Sequence, residues 1–141
     1  MSRSTIVDTS PTPAARAPER LAAAGLKAFF LIAERWRLSA DEAMTLLGRP
    51  ARTTFYRWRR GEAVGATPDL LERLSHVIGI HQALATLFPE PARADAWLRR
   101  PNAAPLFGGA PAMDRLLAGG VSDLWVVRQY LAAEAAGAGG W

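Results

Sequence analysis

Cysteine is absent from this sequence of 141 residues, and histidine occurs only twice, as His76 and His81. Without cysteine the chain has neither disulfides nor thiolate metal sites. The two histidines stand five positions apart, so they do not share one face of a helix. The sequence also lacks a Glu-x-x-His pattern, a phosphate-binding glycine loop and a nucleophile elbow. We therefore expect a protein that is not an enzyme and needs no metal or cofactor, with both histidines in packing or surface positions.

Long apolar runs are missing as well. No stretch approaches the roughly 20 apolar residues that cross a bilayer. Residues 1–18 are rich in Ser, Thr, Pro and Ala and lack the continuous apolar core of a secretory signal. We expect a cytoplasmic protein with no membrane partner. Residues 1–17 have little apolar periodicity, which predicts a disordered N-terminal arm.

Positive charge is concentrated in one short segment. The formal net charge is +4, and residues 48–60 contain five arginines and no acid. Residues 101–141 contain two arginines against three acids. The middle segment therefore favours a polyanion such as DNA, whereas the C-terminal part does not.

Apolar residues recur at helical spacing, and no alternating strand pattern is found, so the predicted fold is all-α. A first helix is predicted over residues 19–36. Ser39 and Glu42 form a capping-box pattern that opens a second helix, residues 40–47. A third helix is predicted over residues 51–60, with Pro50 available for its first turn.

The second half is predicted to consist of short helices. Thr67, Pro68 and Asp69 have the order of a cap, a first-position proline and a first-turn acid. The helix that they open is predicted to break near Gly79, and Ser122 is predicted to cap the last helix. The remaining segments are predicted as helices over residues 80–88, 92–99 and 111–117, followed by a flexible tail over residues 137–141.

The arrangement of residues 39–60, helix, glycine turn and helix, is that of a helix-turn-helix module. Phe55 and Trp58, three positions apart, are expected to face the core. The opposite face then carries arginine and hydroxyl groups that suit DNA phosphates and guanine edges. The predicted DNA-binding residues are Arg49, Arg52, Thr53, Tyr56, Arg57, Arg59 and Arg60. The alternative is a solvated charged face in an arginine-rich chain.

Several motifs occur in order along the C-terminal half. They are Trp-Leu-x-x-Pro-Asn from Trp97, Leu-Leu-Ala-Gly-Gly from Leu116, Val-x-x-Tyr-Leu from Val127, and the closing Gly-Gly-Trp. With the run Thr54-Phe55-Tyr56-Arg57-Trp58 upstream, they make residues 20–141 resemble the MbcA/ParS/Xre antitoxins, the partners of RES-domain toxins. Pro50 departs from the Ser or Thr that often caps the recognition helix there, and Ala110-Pro111-Ala112 departs from a Ser-containing cap.

The resemblance implies an Xre-like helix-turn-helix domain over residues 18–79 and a toxin-binding domain over residues 80–141. It implies a type II antitoxin whose C-terminal tail enters the NAD site of a RES-domain toxin, and which represses its own operon by binding operator DNA. A homodimer within a toxin–antitoxin complex is expected. The alternative is a stand-alone helix-turn-helix regulator that dimerises through its C-terminal block.

Residues of the last helix and tail are the candidates for toxin binding: Trp125, Arg128, Gly139, Gly140 and Trp141. The glycines allow the backbone to enter a narrow cleft, the indole ring of Trp141 matches a flat heterocycle, and its carboxylate matches cations that hold a pyrophosphate. A frayed tail is the alternative. Trp125 fits the core and an interface equally well, whereas Trp97 and Tyr130 fit the core better.

Overall fold

A computed structural model of the protein describes residues 13–137, which form seven helices and no strand, so the all-α prediction is confirmed. One isolated antiparallel bridge joins Pro101 and Pro111. The helices are α1 (Pro13–Arg35), α2 (Ala40–Leu46), α3 (Arg52–Arg59), α4 (Pro68–Leu87), α5 (Pro91–Trp97), α6 (Ala112–Leu116) and α7 (Val121–Ala135).

The first helix begins earlier than predicted. Residues 13–17 belong to α1, so the expectation of a disordered arm is wrong for them. Alanine and arginine are the strongest helix formers, and Pro13 occupies the first helical position, where its missing N–H is not needed. Pro18 lies inside the helix. Residues 1–12 of the predicted arm lie outside the described residues.

The capping box at α2 is confirmed in both directions. The hydroxyl of Ser39 accepts from the backbone N–H of Glu42 at 3.0 Å, and the carboxylate of Glu42 accepts from the N–H of Ser39 at 2.9 Å. The turn to α3 passes through Gly48 and Arg49, both with positive φ. The N-cap of α3 is Ala51, with no side-chain hydrogen bond, so Pro50 lies before the helix rather than in its first turn.

The predicted break near Gly79 is wrong. Helix α4 runs without interruption through Gly79, after a start at which the hydroxyl of Thr67 accepts from the N–H of Leu70, as predicted. It packs against α1, α5 and α7, so both halves of the chain share one core. The fully buried side chains Leu70, Ile80 and Leu84 lie on this helix.

Helix α7 also starts differently from the prediction. Its N-cap is Gly120, and the carboxylate of Asp123, rather than Ser122, accepts from the N–H of Gly120 at 3.0 Å. Asp123 can do so because the helix begins at Val121, which places the carboxylate at the third helical position. Leu124, Val127 and Leu131 face the core. No helix within residues 13–137 is long and apolar enough to cross a membrane.

Candidate functional site

Helix α3 is fixed to the core by two aromatic side chains. Phe55 and Trp58 are buried, as predicted. The ring of Phe55 meets Phe30 of α1 edge to face, with centroids 5.6 Å apart. The indole N–H of Trp58 donates to the carbonyl of Val64 at 2.6 Å and so fixes the loop after the helix. The orientation of α3 is therefore set by buried contacts.

The part of α3 that faces away from the core is exposed and cationic. The exposed side chains of the helix and its C-cap are Arg52, Thr53, Arg57, Arg59 and Arg60, and Arg49 is exposed in the preceding turn. Arg59 stands one turn after Phe55 and lines the groove beside α1. Tyr56 is half-buried because its ring packs edge to face on Phe55, 5.1 Å between centroids. All seven residues predicted to bind DNA thus lie on α3 or directly beside it, six of them exposed.

Carboxylates partly neutralise this surface. The carboxylate of Glu62 lies 3.0 Å from Nε of Arg57 and 3.5 Å from Nε of Arg60. The guanidinium of Arg52 lies 3.8 Å from the carboxylate of Asp41. The hydrogen bond from Arg57 lowers the pKa of Glu62 below its ordinary value, because it stabilises the charged carboxylate. Glu62 was missed as part of the surface, although it stands only two positions after the arginine-rich segment.

Arg49 and Arg59 differ from these arginines. Neither guanidinium has a carboxylate within 4.0 Å in the part of the chain that the structure describes. Phosphate oxygens would meet no internal competitor at these two side chains. The cationic surface therefore consists of two unopposed arginines and three that share acids.

The candidate partner surface lies on α7. Trp125 is 48% exposed, while its neighbour Leu124 and Val127 are buried. The sequence left open whether Trp125 belongs to the core or to an interface. Its exposure shows that the indole is not part of the core. Large exposed aromatics on a rigid helix are typical of interface anchors.

Arg128, also predicted to bind a partner, is engaged within the chain. Its guanidinium donates to the hydroxyl of Ser75 at 3.2 Å and to Nδ1 of His76 at 3.3 Å. It lies so close to Gly79 that a Cβ at that position would overlap it. Nε2 of His76 lies 3.2 Å from the carboxylate of Glu72. His76 is buried, which confirms its packing position.

Three aromatic rings brace the end of α7. Trp97 and Tyr130 stack with centroids 6.3 Å apart, and Phe107 meets both rings edge to face. Trp97 and Tyr130 pack against the core, as predicted. Burial raises the pKa of Tyr130, helped by the nearby carboxylate of Glu134. These contacts hold the last turns of α7 firmly.

The chain leaves α7 through Gly137, whose φ of +80° favours glycine. The predicted contacts Gly139, Gly140 and Trp141 lie outside the described residues. Gly137 borders an open cleft of about 700 Å³ between the end of α4, α5 and α7. Within residues 13–137 there is no group of three or more side chains suited to hold a metal ion.

Two arginines that sequence reasoning missed, the buried Arg73 and the exposed Arg99, join the halves of the molecule. Arg73 donates to the carbonyls of Leu46 and Gly119 at 3.3 and 3.0 Å, and to the carboxylate of Asp69 at 2.8 Å. Arg99 donates to Glu42 and to the carbonyls of Trp36 and Arg37. The only sequence indication was the i, i+4 spacing of Asp69 and Arg73 on an apolar helix.

The chain thus combines a helix-turn-helix that has a cationic outer face with a helical half that exposes a tryptophan, and α4 joins the two. Residues 15–79 match the antitoxin Xre-like helix-turn-helix domain, and residues 83–137 match the antitoxin Xre/MbcA/ParS C-terminal toxin-binding domain. The chain belongs to the Xre/MbcA/ParS antitoxin family and is an antitoxin of the type II class.

Among known proteins, the chain is similar to "Uncharacterized protein y4oB" of Sinorhizobium fredii (strain NBRC 101917 / NGR234). The two are 52% identical over 115 residues, which is 81% of this chain and 86% of that protein. No solved structure matches the chain. The matches confirm the family that the ordered motifs indicated.

Proposed function

We propose that this antitoxin neutralises a RES-domain, NAD-consuming toxin by binding it with the surface around α7 and closing its active site with residues 137–141. In the same cytoplasmic complex, α3 binds operator DNA and represses the operon that encodes the pair. The observation that carries the proposal is Trp125, which is 48% exposed on a helix of the toxin-binding domain. A tryptophan exposed to this extent supplies a large contact area at a low entropy cost.

The rigidity of α7 supports the role of the tail. Buried Leu124, Val127 and Leu131 and the aromatic rings of Trp97 and Tyr130 hold the helix, so its end at Gly137 has a fixed position. Four residues follow Gly137 in the sequence, and fully extended they reach about 14 Å. A docked α7 would therefore deliver Trp141 into a cleft that begins near the contact surface.

The distribution of arginine supports the role of α3. Arg49 and Arg59 have no carboxylate partner among the described residues, and Thr53 is exposed in the first turn of α3. Cations without internal partners release counterions from DNA at no cost in broken ion pairs. Arg57 and Arg60 contribute to DNA binding once their ion pairs with Glu62 are replaced by contacts with DNA phosphates.

The experiment separates the surface from the tail. The full chain, a variant without residues 138–141, and Trp125→Ala are each mixed with a purified RES-domain toxin that the full chain inhibits, and NAD turnover and binding affinity are measured. The truncation keeps Gly137 at the end of α7, so the melting temperature stays unchanged while inhibition weakens. Trp125→Ala is expected to lower affinity about fivefold or more.

Leu31→Ala is the matched control, since Leu31 is also exposed (61%) but lies on α1 beside α2 and α3. It should leave both readouts unchanged. Full inhibition by the truncated protein would refute closure of the active site by the tail. Unchanged affinity of Trp125→Ala would remove α7 from the contact surface.

A further inference from the structure

An open groove of about 820 Å³ runs along one side of α1, between this helix, the start of α2 and the end of α3. On α1 its lining extends from Ala23 to Glu34, which is about 17 Å along the helix axis. The groove lies on the helix-turn-helix half of the molecule, apart from the surface around α7. Neither of the contacts proposed above uses its apolar part.

The floor of the groove is apolar and fixed in position. Phe30 and Leu38 are half-buried there, and Leu31 at the edge is 61% exposed. The ring of Phe30 packs edge to face on Phe29 and on Phe55, with centroids 5.3 and 5.6 Å apart. Because these contacts already order the floor, a partner that covers it loses little affinity to side-chain ordering.

The edge of the groove carries mainly positive charge. The charged side chains that line it are four cations and one acid: Lys27, Arg37, Arg59, Arg60 and Glu34. In the described part of the chain, Arg60 alone among these cations has a carboxylate within 4.0 Å, that of Glu62 at 3.5 Å. An acidic ligand would therefore meet three cations without having to displace an internal partner.

We propose that the groove beside α1 is a docking site for an acidic amphipathic segment of a partner protein. Apolar side chains of the segment pack on Phe30 and Leu31, and its carboxylates pair with Lys27, Arg37 and Arg59. A helix of about 11 residues spans the 17 Å of the groove. Binding of this kind uses apolar anchors spaced three and four residues apart on one face of the docked helix.

Apolarity and charge together disfavour the other occupants of the groove. DNA phosphates would pair with the cations, but duplex DNA has no apolar surface that could cover Phe30 and Leu31. A second copy of the chain would bring its own four cations and one acid to the contact. Residues 1–12 contain one arginine and one aspartate, so their side chains carry no net negative charge. An acidic and apolar segment of another protein matches both properties.

Occupation of the groove has a consequence for DNA. Arg59 and Arg60 line the groove and also belong to the residues proposed to bind DNA. Carboxylates bound there withdraw two cations from phosphate, so an occupied groove lowers the affinity for DNA. By linkage, DNA lowers the affinity for the segment by the same factor. This consequence rests on the proposed function, whereas docking in the groove does not.

A synthetic peptide serves as the probe. It has about 14 residues, with leucines spaced three and four positions apart on one helical face and glutamates elsewhere. One matched peptide has lysine at each glutamate position, and another has glutamine at each leucine position. Each peptide is labelled with a fluorophore and titrated with the full chain, and anisotropy is measured. The acidic amphipathic peptide is expected to bind saturably, and both matched peptides at least about tenfold more weakly.

Variants of the full chain locate the binding site. Lys27→Glu and Arg37→Glu should each weaken binding of the acidic peptide about fivefold or more, because an attraction becomes a repulsion. Leu31→Gln should weaken it by a similar factor through the loss of apolar contact. Arg20→Glu is the matched control, since Arg20 is an exposed arginine of α1 that does not line the groove. Circular dichroism and melting temperature verify that all variants are folded.

Three results would overturn the proposal. The first is equal affinity for the acidic and the lysine peptide, and the second is an acidic peptide that binds Lys27→Glu and Leu31→Gln as tightly as the wild type. The third is weaker binding of duplex DNA, and not of the peptide, by Lys27→Glu and Arg37→Glu, which would make the groove part of the DNA surface. Inhibition of the toxin is measured separately. Loss of peptide binding with full inhibition contradicts the groove alone, and peptide binding without inhibition contradicts the proposed function alone.

Discussion

Arginines serve opposite purposes in two regions of the molecule. On and beside α3 they are exposed, and their ionic contacts within residues 13–137 are either exposed carboxylates or absent. In the segments that join the two halves, Arg73 and Arg99 donate to backbone carbonyls more than 25 residues away along the chain. One region offers positive charge to a partner, and the other uses it to assemble the fold.

The difference follows from what helix ends require. The last carbonyls of a helix have no partner within it. Leu46 closes α2, and Trp36 and Arg37 follow α1, so guanidinium groups that bond to their carbonyls satisfy orphan acceptors and oppose the negative end of each helix dipole. Among the described residues, the arginines of α3 donate to carboxylates or to no acceptor and not to a distant backbone carbonyl, which fits the DNA-binding role proposed for them.

The largest effect is expected at Arg73. Its side chain is almost fully buried, and Arg73→Met keeps the aliphatic stem while leaving the carbonyls of Leu46 and Gly119 without a donor. We expect a loss of about 2–4 kcal/mol in the free energy of unfolding, measured with urea. Arg59→Met, on exposed α3, should cost less than about 0.5 kcal/mol. Equal losses at the two positions would abolish the contrast.

Arg99→Ala should make the free energy of unfolding less dependent on pH. The hydrogen bond from Arg99 lowers the pKa of Glu42 in the folded protein. A carboxylate with a lowered pKa stabilises the fold above its unfolded pKa, and this contribution is lost as the pH falls through the folded pKa. We expect a loss of about 1 kcal/mol or less at pH 7, because solvent screens a pair whose side chains are partly exposed.

The check is urea unfolding at pH 7 and at steps below pH 4.5. The difference between wild type and Arg99→Ala should shrink as Glu42 becomes protonated. A constant difference over that range would mean that Arg99 acts only through the carbonyls of Trp36 and Arg37.

Gly79→Ala tests whether Arg128, like Arg73 and Arg99, uses its charge to stabilise the fold. Alanine ordinarily stabilises a helix relative to glycine by about 1 kcal/mol. Here a Cβ displaces the guanidinium of Arg128 from Ser75 and His76, so the gain should be cancelled. In an Arg128→Ala background the same change should stabilise by about 1 kcal/mol. Additive effects in this cycle, measured by thermal unfolding, would show that the two positions are uncoupled.

The smallest effect is expected at Glu62. Glu62→Gln removes the carboxylate that holds Arg57 and Arg60, which should raise DNA affinity roughly two- to fivefold. Arg59→Ala should weaken binding and reduce the salt slope by about 1. Glu72→Gln, a carboxylate on α4 paired with His76, is the control. Weaker binding of Glu62→Gln would mean that Glu62 positions the arginines rather than competing for them.

Local features were predictable from the sequence. The capping box of Ser39 and Glu42, the cap at Thr67 and the inward pair Phe55 and Trp58 depend on residues three or four positions apart, which the helix itself brings together. The ordered motifs of the C-terminal half indicated the family correctly. The predicted DNA face also depended only on local helical geometry.

The predictions that were wrong concern positions whose structure depends on residues distant in the sequence. Gly79 has the local preference of a helix end, yet α4 continues through it, and the guanidinium of the distant Arg128 occupies the space beside its missing side chain. Ser122 has the local preference of a cap, but the helix starts earlier because Asp123 reaches Gly120. The partners of Arg73 and Arg99 lie up to 63 positions away, so no local pattern shows which arginines are structural.

The uninterrupted course of α4 has a mechanical consequence. It is about 30 Å long and runs from the helix-turn-helix into the toxin-binding half without a hinge. A toxin bound to α7 would therefore keep a fixed orientation relative to operator DNA bound by α3. Steric fit alone would then decide whether neighbouring copies, each with a bound toxin, can occupy adjacent sites on DNA. A rigid α4 could not bend to relieve a clash between them.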